Sequence, residues 1–325
     1  MTTDFKSRIR WVILLVLVVQ TSLTVLLFRY SLTHATEHFI STTIVFCTEC
    51  LKYTLSLLLL LLQEGFSLKR SWIVYRSEIL EKPRQTILLS IPALLYTVQN
   101  NILILALKNL DAATYQVTYQ LKILTTAGFS VLLLQKQLHF TQWFSLILLT
   151  VGVALVQIPG AEVLSIHPER NRLTGLISVL VACFSSGFAG VFYEKLLKTS
   201  SQPSVIIRNL QLGVFSLLLS GSGMMISDFS EILEKGLFVG YTSSVVTVIV
   251  LQAVGGLVVA ATIKYADNIL KGFATSLSIL MSGFISWLLL GDLEPGSYFL
   301  LGTSLVLISS ALYCYTPKPD SKLPI

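Results

Sequence analysis

The chain has 325 residues, of which 54% are hydrophobic and 12% are charged, and its formal net charge is +6. About a quarter of the residues in an ordinary soluble domain are charged, so this composition excludes a soluble globular protein. Apolar runs recur along the whole length, which predicts a single transmembrane domain covering residues 1–325.

A membrane-spanning helix needs about 20 mostly apolar residues, and ten segments meet this rule. We therefore predict an all-α membrane protein with ten transmembrane helices. The segments lie near residues 11–29, 40–62, 86–107, 112–134, 141–158, 173–194, 205–227, 243–265, 269–290 and 297–315. The first resembles a signal peptide but is long enough to span, so we interpret it as a retained helix. Pro92 lies inside the third segment and predicts a kink there.

The distribution of Lys and Arg predicts the orientation. With the N-terminus in the cytosol, most loop lysines and arginines fall on the cytosolic side, and acidic loops such as residues 228–234 fall on the other. This is the bias expected of cytosolic loops. An even number of helices returns the C-terminus to the cytosol, with residues 319–325 as a short cytosolic tail.

A weak internal repeat relates the two halves of the chain. A shift of 155 residues places Gly128-Phe129 on Gly283-Phe284. Because each half has five predicted helices, an odd number, the second half must be inverted in the membrane. Inverted repeats, here roughly residues 1–160 and 170–318, with a midplane site at their interface are a transporter architecture. The repeat also puts the fourth and ninth helices in corresponding positions.

The fourth predicted helix carries a lysine where a charge is costly. Tyr115, Tyr119 and Lys122 are spaced i, i+4, i+7, so one face presents two phenols and an ammonium, and Thr126 continues that face. An intramembrane charge costs about 2.5–3.5 kcal/mol on insertion scales and is kept mainly beside a cavity and a partner.

The ninth predicted helix repeats the pattern with Asn268, Lys271 and Thr275. Together the two helices supply two cations, whereas the predicted spans contain few anions. The missing partner is therefore predicted to be an anionic solute.

Other predicted helices carry polar candidates. The third contains Tyr96 and the adjacent amides Gln99, Asn100 and Asn101. These amides either read the edge of a base or hydrogen-bond between helices, and the sequence leaves both roles open.

Further candidates have an alternative structural role. Glu49 and Lys52 are i, i+3 on one helix, which leaves open a gating role or a structural ion pair. Ser186 belongs to a small-residue patch that predicts close helix packing. Asn209 is a candidate for a cavity, whereas Arg208 is expected to snorkel to the cytosolic surface.

Signals for an enzyme are missing from the sequence. The four histidines are scattered, and there is no phosphate-binding loop or nucleophile motif. We predict no enzymatic activity, no cofactor, no metal site and no nucleic-acid partner.

Three stretches resemble the Golgi nucleotide-sugar transporters, in the branch of the UDP-N-acetylglucosamine, UDP-galactose and CMP-sialic acid transporters. They are residues 109–127, residues 185–190 with Glu194-Lys195, and residues 264–279. The resemblance implies a ten-helix drug/metabolite-transporter fold in the Golgi membrane. It also implies exchange of a cytosolic nucleotide sugar for a lumenal nucleoside monophosphate, with the lysines on the phosphates. The implied contacts fall on Tyr96, Asn100, Asn101, Tyr115, Tyr119, Lys122, Ser186, Asn209 and Lys271.

Within this branch, residues 123–126 and 274–278 resemble the UDP-sugar members, and Gly213 stands where CMP-sialic acid transporters carry a tyrosine. Thr114-Tyr115 and the N-terminal third of the chain resemble the UDP-N-acetylglucosamine transporters more than the UDP-galactose transporters. We therefore expect UDP-N-acetylglucosamine to be exchanged for UMP, with UDP-galactose or both sugars as the alternative. A CMP-sialic acid transporter, a proton-coupled metabolite exporter and a scaffold for glycosyltransferases are less favoured. Homo-oligomerisation and association with glycosyltransferases are left open.

Overall fold

The computed structural model describes residues 2–33, 39–110, 115, 118–157, 171–199, 204–285, 288 and 296–315. Within these ranges the chain is helical apart from short connections and contains no strand. The helices are α1 (Thr2–Thr33), α2 (Ser41–Gln63), α3 (Leu68–Tyr75), α4 (Pro83–Leu88), α5 (Ser90–Asn109), α6 (Leu121–Leu134), α7 (Phe140–Gln157), α8 (Arg172–Thr199), α9 (Val205–Ser227), α10 (Phe229–Lys235), α11 (Ser243–Tyr265), α12 (Asn268–Ile285) and α13 (Ser297–Tyr315). A π-helical turn, Arg76–Leu80, follows α3 directly.

Seven helices of the described part are long and apolar enough to cross a membrane: α1, α2, α8, α9, α11, α12 and α13. The apolar helices α6 and α7 are shorter. The predicted all-α class is confirmed, and the chain is a multi-pass membrane protein. Each predicted segment overlaps a helix of the structure, and the third overlaps both α4 and α5. The sequence did not predict α3, the π-helical turn or α10.

The third predicted segment is interrupted at Leu89, three residues before Pro92. The helix that begins at Pro83 ends at Leu88, and α5 begins anew at Ser90. Pro92 therefore lies in the first turn of α5, where its missing N–H removes no intrahelical hydrogen bond.

Side-chain caps fix where several helices begin. The hydroxyls of Ser67, Ser204 and Thr242 accept hydrogen bonds from the backbone N–H groups three residues further on, at the starts of α3, α9 and α11. Such caps satisfy N–H groups that a helix start leaves without a partner.

The chain divides into two compact units. The first comprises Met1–Thr97 and Leu196–Asp267, and the second comprises Val98–Lys195 and Asn268–Ile325. Each unit thus takes helices from both predicted halves of the sequence.

In the first unit, α1 packs along α11, and α2 packs on α9 and α11. Gln20 joins α1 to α11 because its Nε2 donates a 2.9 Å hydrogen bond to the Leu251 carbonyl. A Cβ on Gly255 would overlap the same glutamine side chain. The contact between these two helices therefore depends on a glycine.

In the second unit, α7 and α13 approach each other closely. A Cβ on Gly152 would lie 2.9 Å from the carbonyl oxygen of Gly302, which is the small-residue packing typical of membrane helices. The apolar core of this unit includes Ile123, Phe273 and Val306. It lies beside the first turns of α6 and α12, which carry the two predicted lysines.

Candidate substrate-binding site

Lys122 is the central charged residue of the candidate site in the second unit. It lies in the first turn of α6, and its side chain is partly buried. Its Nζ stands 4.2 Å from the centre of the Tyr119 ring, a cation–π contact that offsets part of the cost of burial. Lys122 forms no ion pair with any carboxylate of the described residues. Its charge is therefore available to an anion.

Two stacked tyrosines lie beside this lysine. The ring centres of Tyr115 and Tyr119 are 5.8 Å apart, with an interplanar angle of 11°. The rings pack against apolar side chains of Ala106, Leu110, Val179 and Cys183. The structure thus brings together the two phenols and the ammonium that the helical spacing placed on one face.

Gln99 fixes the orientation of the second tyrosine. Its Nε2 donates a 3.0 Å hydrogen bond to the hydroxyl of Tyr119, and the Ser186 side chain approaches the same hydroxyl. The Oε1 of Gln99 is buried and has no hydrogen-bond partner among the described residues. The amide oxygen of Gln99 can therefore still accept a hydrogen bond.

Lys271 lies in the first turn of α12, in the same unit, and its side chain is partly buried. It interacts electrostatically with Lys122 and with Glu194, but no carboxylate of the described residues pairs with it directly. Two like charges within one unit repel each other, and a bound phosphate would offset that repulsion. The internal repeat in the sequence places the helices of these two lysines in corresponding positions, so it indicated the same pair.

Glu194 was named in the sequence analysis only as part of a family motif and was given no role at the site. Its side chain is fully buried, and its Oε1 forms an ion pair with Nζ of Lys136, 3.0 Å away. Its Oε2 accepts a 2.9 Å hydrogen bond from the backbone N–H of Asn268, the first residue of α12. An anion is favourable at a helix N-terminus, so Glu194 holds the helix that carries Lys271. An acidic residue inside a long apolar segment was the available signal.

Glycines allow α8 to pack closely on its neighbours. A Cβ on Gly187 would lie 2.7 Å from Oγ1 of Thr125, and a Cβ on Gly190 would overlap the side chain of Asn268. The predicted close packing of this small-residue patch is confirmed. It brings Ser186 and Glu194, both on α8, against α6 and α12.

The two predicted threonines are bonded to their own helices. Thr126 donates a 2.7 Å hydrogen bond to the carbonyl of Lys122, and Thr275 donates one of 2.9 Å to the carbonyl of Gly272. Each hydroxyl oxygen can still accept a hydrogen bond. The side chains of Asn100 and Asn101 lie outside the described residues.

The other predicted site residues belong to the first unit. Glu49 and Lys52 form the ion pair that their spacing indicated, with Oε2 and Nζ 2.5 Å apart and both side chains mostly buried. Tyr96, on α5, is partly buried, and Asn209, on α9, is buried. The self-contained pair on α2 is consistent with the structural alternative for Glu49 and Lys52.

Gly213 adjoins an aromatic side chain that the sequence analysis did not single out. A Cβ at this position would lie 2.7 Å from Cδ2 of Tyr53. The hydroxyls of Tyr53 and Tyr75 are 2.8 Å apart. The absence of a side chain at Gly213 therefore makes room for the ring of Tyr53.

The expectation that Arg208 snorkels is wrong. Its side chain is buried, and its guanidinium donates a 2.9 Å hydrogen bond to Oε1 of Gln211. Gln211 is fully buried and donates in turn to the carbonyl of Glu78 at 2.9 Å. Arg208 and Gln211 are three positions apart on one helix, but Glu78 lies 133 positions from Gln211, so local sequence could not reveal that second contact.

Comparisons with known proteins identify the family. A model of the nucleotide-sugar transporter family matches residues 5–315. The chain is 50% identical to the human UDP-N-acetylglucosamine transporter over 317 residues, which cover 96% of this chain and 97% of that protein. It is 46% identical to the UDP-galactose translocator of Mus musculus over 317 residues, which cover 97% of this chain and 80% of that protein.

A solved crystal structure shares the fold. It matches with a TM-score of 0.63 at 14% identity and covers 94% of this chain and 96% of the other. The paired lysines, the stacked tyrosines and the match along nearly the whole chain agree on one conclusion: the chain belongs to the nucleotide-sugar transporter family, whose members are transporters and not enzymes.

Proposed function

We propose that this protein exchanges a UDP-sugar, with UDP-N-acetylglucosamine as the first candidate, for UMP across the Golgi membrane. One structural observation carries the proposal: Lys122 and Lys271 share a unit and an electrostatic environment, and no described carboxylate pairs with either. The high identity to the human UDP-N-acetylglucosamine transporter supports the choice of sugar nucleotide.

The chemistry of the site suits a nucleotide with phosphates. The two ammonium groups would bind phosphate oxygens through charge-assisted hydrogen bonds. The stacked rings of Tyr115 and Tyr119 offer an aromatic surface for a base or ribose. Asn100, Asn101, Ser186 and Asn209 are proposed as further hydrogen-bonding residues, and Tyr96 as a further aromatic contact.

Exchange, rather than free leak, follows from the same charges. An empty carrier would have to change conformation with two cations that form no direct ion pair with any described carboxylate. A bound phosphate would offset their mutual repulsion and lower that barrier. UMP and the UDP-sugar both carry phosphate, so both would allow the transition.

For the topology, we propose ten transmembrane helices with both termini in the cytosol. The two inverted halves would cover residues 1–160 and 170–318, and residues 319–325 would form a cytosolic tail. The excess of Lys and Arg on one side of the predicted spans supports this orientation.

UDP-galactose remains the alternative sugar nucleotide, alone or together with UDP-N-acetylglucosamine, because a UDP-galactose translocator is 46% identical to this chain. A competition assay separates these possibilities. In UMP-loaded liposomes, unlabelled UDP-N-acetylglucosamine is expected to inhibit uptake of its labelled form most strongly, and CMP-sialic acid least. Inhibition by CMP-sialic acid that equals inhibition by the UDP-sugars would contradict the proposed specificity.

A further inference from the structure

The chain between α2 and α5 forms an ordered element of its own. It includes α3, the π-helical turn and the first residues of α4, and we call residues 66–84 the linking segment. It follows the apolar helix α2 after a few residues and leads into the apolar helix α5. Under the proposed topology, both ends of the linking segment are therefore held at one membrane surface.

The linking segment exposes several large apolar side chains. Leu68 is 77% exposed, Trp72 is 58% exposed, and Phe66, Ile73 and Leu80 are also exposed. Exposed apolar groups of this size mark an interaction surface. A tryptophan and aliphatic residues at the edge of a membrane are typical of a helix lying in the headgroup layer.

Basic side chains are interleaved with these apolar groups. Lys69, Arg70 and Arg84 are exposed and form no ion pair with any residue that the structure describes. In contrast, two basic residues pair within the segment itself: Arg76 with Glu81 at 3.0 Å and Lys82 with Glu78 at 2.6 Å. The three remaining cations are complementary in charge to anionic phospholipid headgroups.

The linking segment is also tied to two helices of the first unit, through Tyr75, on whose ring Trp72 stacks with the ring centres 5.8 Å apart, and through Glu78. Tyr75 meets Tyr53 of α2 through their hydroxyls, 2.8 Å apart. Gln211 of α9 donates to the carbonyl of Glu78 in the π-helical turn. Those helices also carry Glu49, Lys52, Asn209 and Gly213, which are candidate site residues.

We propose that residues 66–84 lie in the headgroup layer of the membrane, where Trp72 and its apolar neighbours insert and Lys69, Arg70 and Arg84 bind the phosphates of anionic lipid. Lipid, rather than a second protein, covers these exposed side chains because the segment is held at the membrane surface at both ends. The anchors on Tyr53 and Gln211 then connect lipid binding to α2 and α9.

The test uses the full-length protein in phosphatidylcholine vesicles with and without phosphatidylserine. The signal of Trp72 is taken as the difference in fluorescence between the parent and Trp72→Phe, which changes one exposed side chain. Lipids brominated near the headgroup are expected to quench this signal. Brominated phosphatidylserine is expected to quench it about threefold more strongly than the same fraction of brominated phosphatidylcholine.

A triple variant, Lys69→Gln with Arg70→Gln and Arg84→Gln, is expected to abolish the preference for phosphatidylserine. The matched control, Arg76→Gln with Glu81→Gln, removes a pair of neutral net charge from the same segment and is expected to keep that preference. Absence of quenching of the Trp72 fluorescence by either brominated lipid would overturn the placement of the linking segment in the headgroup layer. Equal quenching by both lipids would overturn the binding of anionic lipid. Neither outcome depends on transport, so it is distinct from failure of the proposed exchange.

Discussion

Replacing Lys122 or Lys271 by methionine is expected to weaken UMP binding by roughly 10- to 100-fold. A hydrogen bond to a charged group contributes about 1.5–3 kcal/mol, and each 1.4 kcal/mol corresponds to about tenfold in affinity. Methionine retains an apolar stem, so the interaction removed is mainly that of the ammonium. Equilibrium binding of labelled UMP to the purified protein measures the effect.

The fold of these variants should survive. Each substitution removes one of two cations that repel each other, so the midpoint of thermal unfolding is expected to stay unchanged or to rise. Lys195→Met is the matched control, because Lys195 is exposed on α8 of the same unit. Normal UMP binding by both lysine variants would contradict the assignment of the phosphate site. Loss of cooperative unfolding would instead indicate a role in folding.

Replacing Lys136 by methionine is expected to destabilise the protein by about 3 kcal/mol. Removing one partner of a buried ion pair costs about 3–5 kcal/mol because the other charge stays buried. The Lys136 side chain is 24% exposed and that of Glu194 is fully buried, so the low end of this range applies. The midpoint of thermal unfolding in detergent measures the change.

The double variant Lys136→Met with Glu194→Gln gives the sharper comparison. It removes both charges, and the glutamine can still accept a hydrogen bond from the backbone N–H of Asn268. We expect the double variant to be more stable than Lys136→Met alone. The exposed pair Lys235–Glu231, with Nζ and Oε1 2.8 Å apart, provides the control, since Lys235→Met should leave the midpoint unchanged. A double variant less stable than the single one would contradict the view that Lys136→Met is costly because it leaves the buried Glu194 charge without Lys136.

Much of the fold could be predicted because hydropathy reports on single segments. A run of apolar residues such as 205–227 is long enough to span a membrane whatever surrounds it, and the structure has α9 at the same residues. The linking segment escaped prediction because it mixes charged and apolar residues. Its helical form depends partly on hydrogen bonds from Gln211 and Thr86, which local sequence does not show.

The candidate site was predictable where several of its members are close in sequence, although Tyr115 and Tyr119 precede α6, which begins at Leu121. Tyr115, Tyr119 and Lys122 follow helical spacing, and the structure stacks the rings beside the ammonium. The partners that orient them were not predictable, because they come from elsewhere in the chain. For Gln99 the sequence left two roles open, and its bond to Tyr119 depends on the contact between their helical segments. The anchoring role of Glu194 depends on the contact between α8 and α12 at Gly190.

The central claim, exchange of a UDP-sugar for UMP, is tested most directly by uptake of labelled UDP-N-acetylglucosamine into liposomes that contain the purified protein. We expect rapid uptake when the liposomes contain UMP and little uptake when they contain none. Uptake that is equally fast without internal UMP would contradict obligatory exchange. Absence of uptake under both conditions, by protein shown to be folded, would contradict transport of this nucleotide sugar altogether.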